Sequence, residues 1–151
     1  MLNPDYRDML SAFEDENVDY LVVGAYALAA HGAPRATGHL DLWIRPTTEN
    51  ADRAFRALEA FGAPTHDLSV RDLADPDLVF QVGVEPRRID ILSSITGVSF
   101  DEAWRERELV EIDGLTLPIL GRAQLIENKQ ALGRKQDQAD IDRLIEDDTT
   151  E

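Results

Sequence analysis

Tyr20-Leu-Val-Val-Gly24-Ala25-Tyr-Ala-Leu-Ala-Ala30-His31-Gly32, followed by Pro34-Arg35-Ala-Thr37-Gly-His39-Leu-Asp41-Leu-Trp43-Ile44, carries the most informative pattern in the chain. Tyr20 to Val23 is a short apolar, β-prone run that Gly24 interrupts. Ala25 to Ala30 are strong helix formers, and Gly32 after His31 is a natural stop. The reading is strand, tight glycine turn, helix, loop and second strand. A turn of this kind aims unpaired N–H groups at an anion, usually a phosphate. On the second strand the period of two puts His39, Asp41 and Trp43 on one face, with Leu42 and Ile44 on the other. A carboxylate beside a phosphate-binding turn is where a metal ion would be held.

The flanking sequence extends this pattern into a mixed fold. Asn3 before Pro4 marks a helix start, and Met9, Ala12 and Phe13 give it an apolar stripe up to about Asn17. Pro46 ends the second strand, and Thr47 or Thr48 caps a helix to Phe61. Asp67 is expected to cap a short helix over residues 70–74. Residues 78–82 and 87–92 read as strands, the second with Arg88, Asp90 and Leu92 on one face. Residues 101–107 read as a short helix. Asp113-Gly114 joins two β-prone runs, a strong hairpin signal. Helices follow over residues 122–132 and 138–145, with a polar tail from 147 to 151 expected to fray. The predicted class is α/β (α+β), one mixed sheet with helices packed on it.

A chain of 151 residues with 43% hydrophobic content suits one domain, its core spanning about residues 18–145. No apolar run approaches the roughly 20 residues of a membrane span, and the N-terminus lacks a signal-peptide pattern. With no cysteine there is neither a disulfide framework nor a thiolate metal site. A cytoplasmic location is the expectation. The net charge is −15, and Lys129 and Lys135 are the only lysines. Acid excess with scarce lysine suits a high-salt, halophilic cytoplasm; an acidic surface would also attract a cationic substrate. The spread of the acids along the chain favours the first reading. Unspecific nucleic-acid binding is disfavoured.

Gly24 at the turn, Pro34-Arg35-Ala-Thr37 and the strand carrying Asp41 resemble the nucleotidyltransferase superfamily with the DNA polymerase beta-like fold. Within it, the chain resembles small bacterial members that are either AbiEii-type toxins or uncharacterised nucleotidyltransferases. Arg88-Ile-Asp90-Ile-Leu92 matches the strand that bears that fold's third carboxylate. Asn128-Lys129 with Gly133-Arg134-Lys135 and Asp137 is similar to the basic C-terminal motif of this subgroup. The resemblance implies transfer of a nucleoside monophosphate from an NTP to a hydroxyl acceptor, releasing pyrophosphate. It implies two Mg²⁺ (or Mn²⁺) ions about 3.5–4 Å apart, held by carboxylates on adjacent strands. Asp41 and Asp90 are then the catalytic metal ligands. Gly24, Ala25, Arg35, Thr37, Lys129 and Arg134 are the implied NTP-binding residues. Two departures stand out. Ala25 replaces the usual glycine or serine, losing a hydroxyl but keeping the N–H. His39 stands where the first metal aspartate is expected; imidazole adds no negative charge and suits manganese, zinc or nickel better than magnesium.

Each of these residues also has a plain structural reading. Gly24 serves any strand-end turn, and Trp43 either packs in the core or stacks on a base. His31 suits a helix C-terminus. Lys129 shares a helical face with Leu125, Ile126 and Leu132, so it either snorkels or meets a buried anion. Asp137, Asp140 and Asp142 read as a solvated helix face. Arg35, Arg45, Arg87, Arg88, Arg122, Lys129, Arg134 and Lys135 hold much of the scarce positive charge, and their convergence would favour RNA or nucleotide. Two functions remain open. One is a metal-dependent nucleotidyltransferase acting on a tRNA end, a protein hydroxyl or a cationic small molecule. The other is a degenerate domain that binds nucleotide or a partner, such as one half of a toxin–antitoxin pair.

Overall fold

The structure, a computed structural model, describes residues 2–149. Asn3 Oδ1 accepts from the Tyr6 N–H at 3.0 Å, and Pro4 opens helix α1 (Pro4–Asp15). Strand β1 (Tyr20–Val23), helix α2 (Gly24–Ala30) and strand β2 (His39–Ile44) follow in the order read from the opening stretch. His31 is the C-cap of α2. Thr47 caps α3 (Thr48–Phe61) by accepting from the Asn50 N–H.

Several boundaries differ from the sequence reading, three of them through local capping. Helix α4 (Val70–Leu73) is capped by Ser69, not Asp67. The Ser69 hydroxyl accepts from the Asp72 N–H while the Asp72 carboxylate accepts from the Ser69 N–H, a reciprocal arrangement open only to the residue just before the helix. After strands β3 (Val79–Val82) and β4 (Arg88–Leu92), helix α5 (Phe100–Arg105) starts one residue early because Ser99 caps it. Strands β5 (Glu108–Ile112) and β6 (Leu115–Ile119) form the predicted hairpin, with φ of 52° at Asp113 and 82° at Gly114. Helix α6 (Arg122–Leu132) ends at Gly133, and α7 (Lys135–Thr149) begins three residues before its expected start. Asp137 causes this: its carboxylate reaches back to the Arg134 N–H at 3.1 Å and satisfies an orphan donor of the first turn. Helix α7 is described to Thr149; residues 150 and 151 of the expected polar tail lie outside the described residues.

The six strands form one mixed sheet in the order β3-β4-β2-β1-β6-β5. β2 pairs parallel with β4 and β1 parallel with β6; the other neighbours are antiparallel. Tyr20, Leu42 and Ile44 share one face, where Phe13 of α1 meets Tyr20 edge-on at 5.3 Å. Helix α3 packs against α1 on this side. Trp43 points to the opposite face and meets Phe100 of α5 edge-on at 5.1 Å. Each large side chain buried this way contributes about 1.5–3 kcal/mol relative to exposure. No helix among the described residues is long and apolar enough to cross a membrane.

Candidate active site

Two parallel neighbours build the centre of the site. In the β2–β4 register His39 lies opposite Arg88, and Asp41 opposite Asp90. Residues opposite one another share a face, so the two carboxylates emerge together. Leu40, Leu42, Ile89 and Ile91 are buried on the other face. That burial fixes the register, because a slip of one residue would turn both acids into the core.

Strand β1 brings the glycine turn to the same point. Val23 pairs with Asp41, so Gly24 follows directly beside the Asp41 side chain. A Cβ on Gly24 would stand 2.2 Å from Asp41 Oδ2, and Gly24 has φ of 68°. The close approach and the left-handed backbone both select glycine.

His39 Nε2 is 3.3 Å from Asp41 Oδ2 and 4.0 Å from Asp90 Oδ2. One ligand atom from each of His39, Asp41 and Asp90 lies within 4.8 Å of the others. Burial pushes the Asp41 carboxyl up to about 6; His39 opposes that rise, the Asp90 charge adds to it, and Arg88 opposes it. Two carboxylates and an imidazole at this separation fit a divalent cation. Asp90 is also gripped by Arg88, whose Nε donates to Oδ1 at 3.0 Å and whose terminal nitrogen donates to Oδ2 at 3.2 Å. The strand period already placed Arg88 and Asp90 on one face, but their pairing was not anticipated. The Glu85 carboxylate lies 3.9 Å from His39 Nδ1 and fills the space a Cβ on Gly38 would need.

A cleft of about 450 Å³ opens beside this group. Gly24, Ala25, Arg35, Thr37, His39, Asp41, Lys129 and Arg134 all line it, so the structure brings these sequence candidates together. Asp90 joins through the carboxylate cluster, not through the cleft wall. Ser94, Ile95 and Thr96 also line the cleft and were missed; the one available signal was their position just after the Asp90 strand. Trp43 is 1% exposed and packed on Phe100, which removes it as a base-stacking platform.

The acids of α7 overturn the solvated-face reading. Asp137 and Asp140 are buried, and only Asp142 of the three is exposed. Lys129 Nζ lies 3.2 Å from Asp140 and 3.5 Å from Asp137. Arg134 binds Asp137 at 2.6 Å, and Arg35 binds Asp140 at 3.1 Å. The hydrogen bond from Arg134 holds the Asp137 carboxyl down to about 2. Lys129 therefore neither snorkels nor stands free: its charge is buried because two carboxylates compensate it. The wider basic cluster does not converge. Arg45 binds Asp19 at 2.8 Å and Asp101 at 2.5 Å, Arg87 lies 3.6 Å from Asp5, and Arg122 donates to the Leu144 carbonyl at 2.6 Å.

With this geometry established, comparison with solved structures places the fold. A candidate nucleotidyltransferase (TM1012) from Thermotoga maritima matches with a TM-score of 0.65 at 16% identity, over 97% of this chain and 96% of that one. The lincomycin-bound lincosamide antibiotic adenylyltransferase LnuA matches with a TM-score of 0.61 at 14% identity, over 96% and 97%. At such identities the likeness is one of fold. No curated protein sequence matches the chain significantly. The model of the family described as nucleotidyl transferase of unknown function (DUF2204) matches residues 3–149, and the chain belongs to that family.

Proposed function

We propose that this protein transfers a nucleoside monophosphate from an NTP to a hydroxyl acceptor, with Asp41, Asp90 and His39 holding a divalent cation. The observation that carries the reading is the His39–Asp41–Asp90 group at the edge of a cleft that also holds Gly24, Arg35, Lys129 and Arg134. The cleft volume lies within the usual range for small-molecule sites. In the transfer the acceptor oxygen bonds to the α-phosphorus, the bond from that phosphorus to pyrophosphate breaks, and the hydroxyl proton passes to a site carboxylate. A bound divalent cation would supply Lewis-acid stabilisation of the charge developing on the phosphate. Gly24 and Ala25 offer backbone close to the phosphates, and Thr37 adds a hydroxyl. Arg35, Lys129 and Arg134 present charge that α7 holds in place.

A neutral or cationic small-molecule acceptor fits better than RNA. The chain carries a net charge of −15, which repels a polyanion. LnuA, of the same fold, is an adenylyltransferase of a small-molecule antibiotic. A second reading, a nucleotide-binding domain without chemistry, draws support from the Arg88 grip on Asp90 and from His39 in a carboxylate's expected place.

Pyrophosphate release separates the two. Purified protein is assayed with each NTP, Mg²⁺ or Mn²⁺, and a panel of hydroxylated small molecules, cationic and neutral. We expect Mn²⁺-supported transfer in wild type, a loss of about 100-fold or more in Asp41→Asn, and a roughly tenfold gain with Mg²⁺ in His39→Asp. Nucleotide binding with no pyrophosphate release under any condition favours the second reading.

A further inference from the structure

A site with carboxylates at all three metal positions would present three negative charges to two divalent ions. This chain presents two, and one of them is occupied. Arg88 bridges both oxygens of Asp90 at 3.0 and 3.2 Å, and its partner across the parallel ladder is His39. Counting only the ligand group His39, Asp41 and Asp90 with the guanidinium on it, a single net negative charge remains; the Glu85 carboxylate stands outside that group. Arg88 also lies 4.0 Å from the Glu85 carboxylate, which the adjoining turn holds above Gly38. The guanidinium is therefore seated between two acids and is permanently charged.

Its position matters as much as its charge. His39 and Asp41 line the cleft, whereas Arg88 and Asp90 do not. The guanidinium thus grips Asp90 from outside the cleft lining, while His39 and Asp41 face the space an NTP would occupy. A second divalent ion bound to Asp90 there would have to displace a planar, bidentate partner or share the carboxylate with it.

We propose that this chain works with a single divalent ion, and that the Arg88 guanidinium on Asp90 takes the place of the second cation of a two-metal nucleotidyltransferase. The inference rests on the nucleotidyl-transfer reading of the same site. Arg88 lends positive charge to the acceptor oxygen as its bond to the α-phosphorus forms, and is itself unchanged when pyrophosphate leaves. The same residue lowers the affinity of Asp90 for a cation, because guanidinium and metal compete for the same oxygens. Removing Arg88 consequently strengthens metal binding while slowing transfer. A merely structural arginine would weaken both or neither.

The test counts Mn²⁺ on the full chain by electron paramagnetic resonance and measures its affinity by calorimetry, with Mn²⁺ alone and with a non-hydrolysable ATP analogue. One ion per wild-type chain is expected. Arg88→Gln should bind Mn²⁺ about tenfold more tightly, and Arg88→Lys, which keeps a cation, should stay near wild type. Two ions or none on the wild type overturn the proposal without recourse to any variant that might misfold. Unchanged or weaker Mn²⁺ binding in folded Arg88→Gln, checked by circular dichroism, overturns it as well. These readouts need no turnover. One Arg88-sensitive ion with no pyrophosphate release from any acceptor would support the charge assignment and count against the transfer reading alone.

Discussion

Gly24 shows how one residue can serve backbone and site together. Its φ of 68° costs an L-residue about 1–2 kcal/mol, and a Cβ there would meet Asp41 Oδ2 at 2.2 Å. Gly24→Ala should therefore lower stability by about 1–2 kcal/mol and also turn the Asp41 carboxylate away from His39. Thermal unfolding measures the first effect. Mn²⁺ titration measures the second, with weaker binding expected by about tenfold. A variant that loses stability but binds Mn²⁺ like wild type would separate the glycine from the metal group. Asp41 itself is held under tension of another kind: burial disfavours its charged form, so a bound cation stabilises what the apo fold only tolerates.

Helices α6 and α7 form a wall of the cleft, and buried charge couples them. Lys129 from α6 is compensated by Asp137 and Asp140 from α7, and Asp140 also binds Arg35 from the loop before β2. Asp140→Ala strips one carboxylate from a buried ammonium and should destabilise the fold by about 3 kcal/mol, read by denaturant unfolding. Asp137 gives the wall a pH signature. Its carboxyl is held down to about 2 from an ordinary 3.8, so the folded state releases this proton more readily than the unfolded chain. The resulting stabilisation is complete above the ordinary value and is lost as pH falls through about 2. The melting temperature of Asp137→Asn should accordingly fall less steeply than that of wild type between pH 4 and pH 2, from a lower starting point.

Across the whole molecule, a net charge of −15 sets the long-range field, while the cleft cations are neutralised by their own acids. An approaching cation is attracted from a distance and a polyanion repelled. For any cationic acceptor found in the assay, KM should rise several-fold between about 50 mM and 500 mM salt as the field is screened, whereas a neutral acceptor should show little change. Transfer RNA added in excess should not inhibit. Inhibition by it at moderate salt would contradict this electrostatic account.

The element order, the cap at Asn3, a cap at Thr47 or Thr48, the Asp113-Gly114 hairpin and the common face of His39 and Asp41 could be read directly, because each depends on chemistry within a few residues of itself. So could the candidacy of His39, since a period of two leaves no choice of face on β2. That Asp90 meets Asp41 was implied only by the family resemblance and is decided by the β2–β4 register. Arg88 was legible as a neighbour of Asp90 but not as its partner, because a strand period gives direction without giving reach. The acids of α7 were misread for a deeper reason. Asp137 and Asp140 recur at a spacing that any solvated helix shows, and nothing local distinguishes a carboxylate facing water from one facing Lys129. That distinction arises only when the sheet carries Arg35 against Asp140, 105 residues away along the chain. Burial of charge is a property of which surfaces meet: Lys129 and Asp137 share a short window, but Arg35 and Asp140 do not.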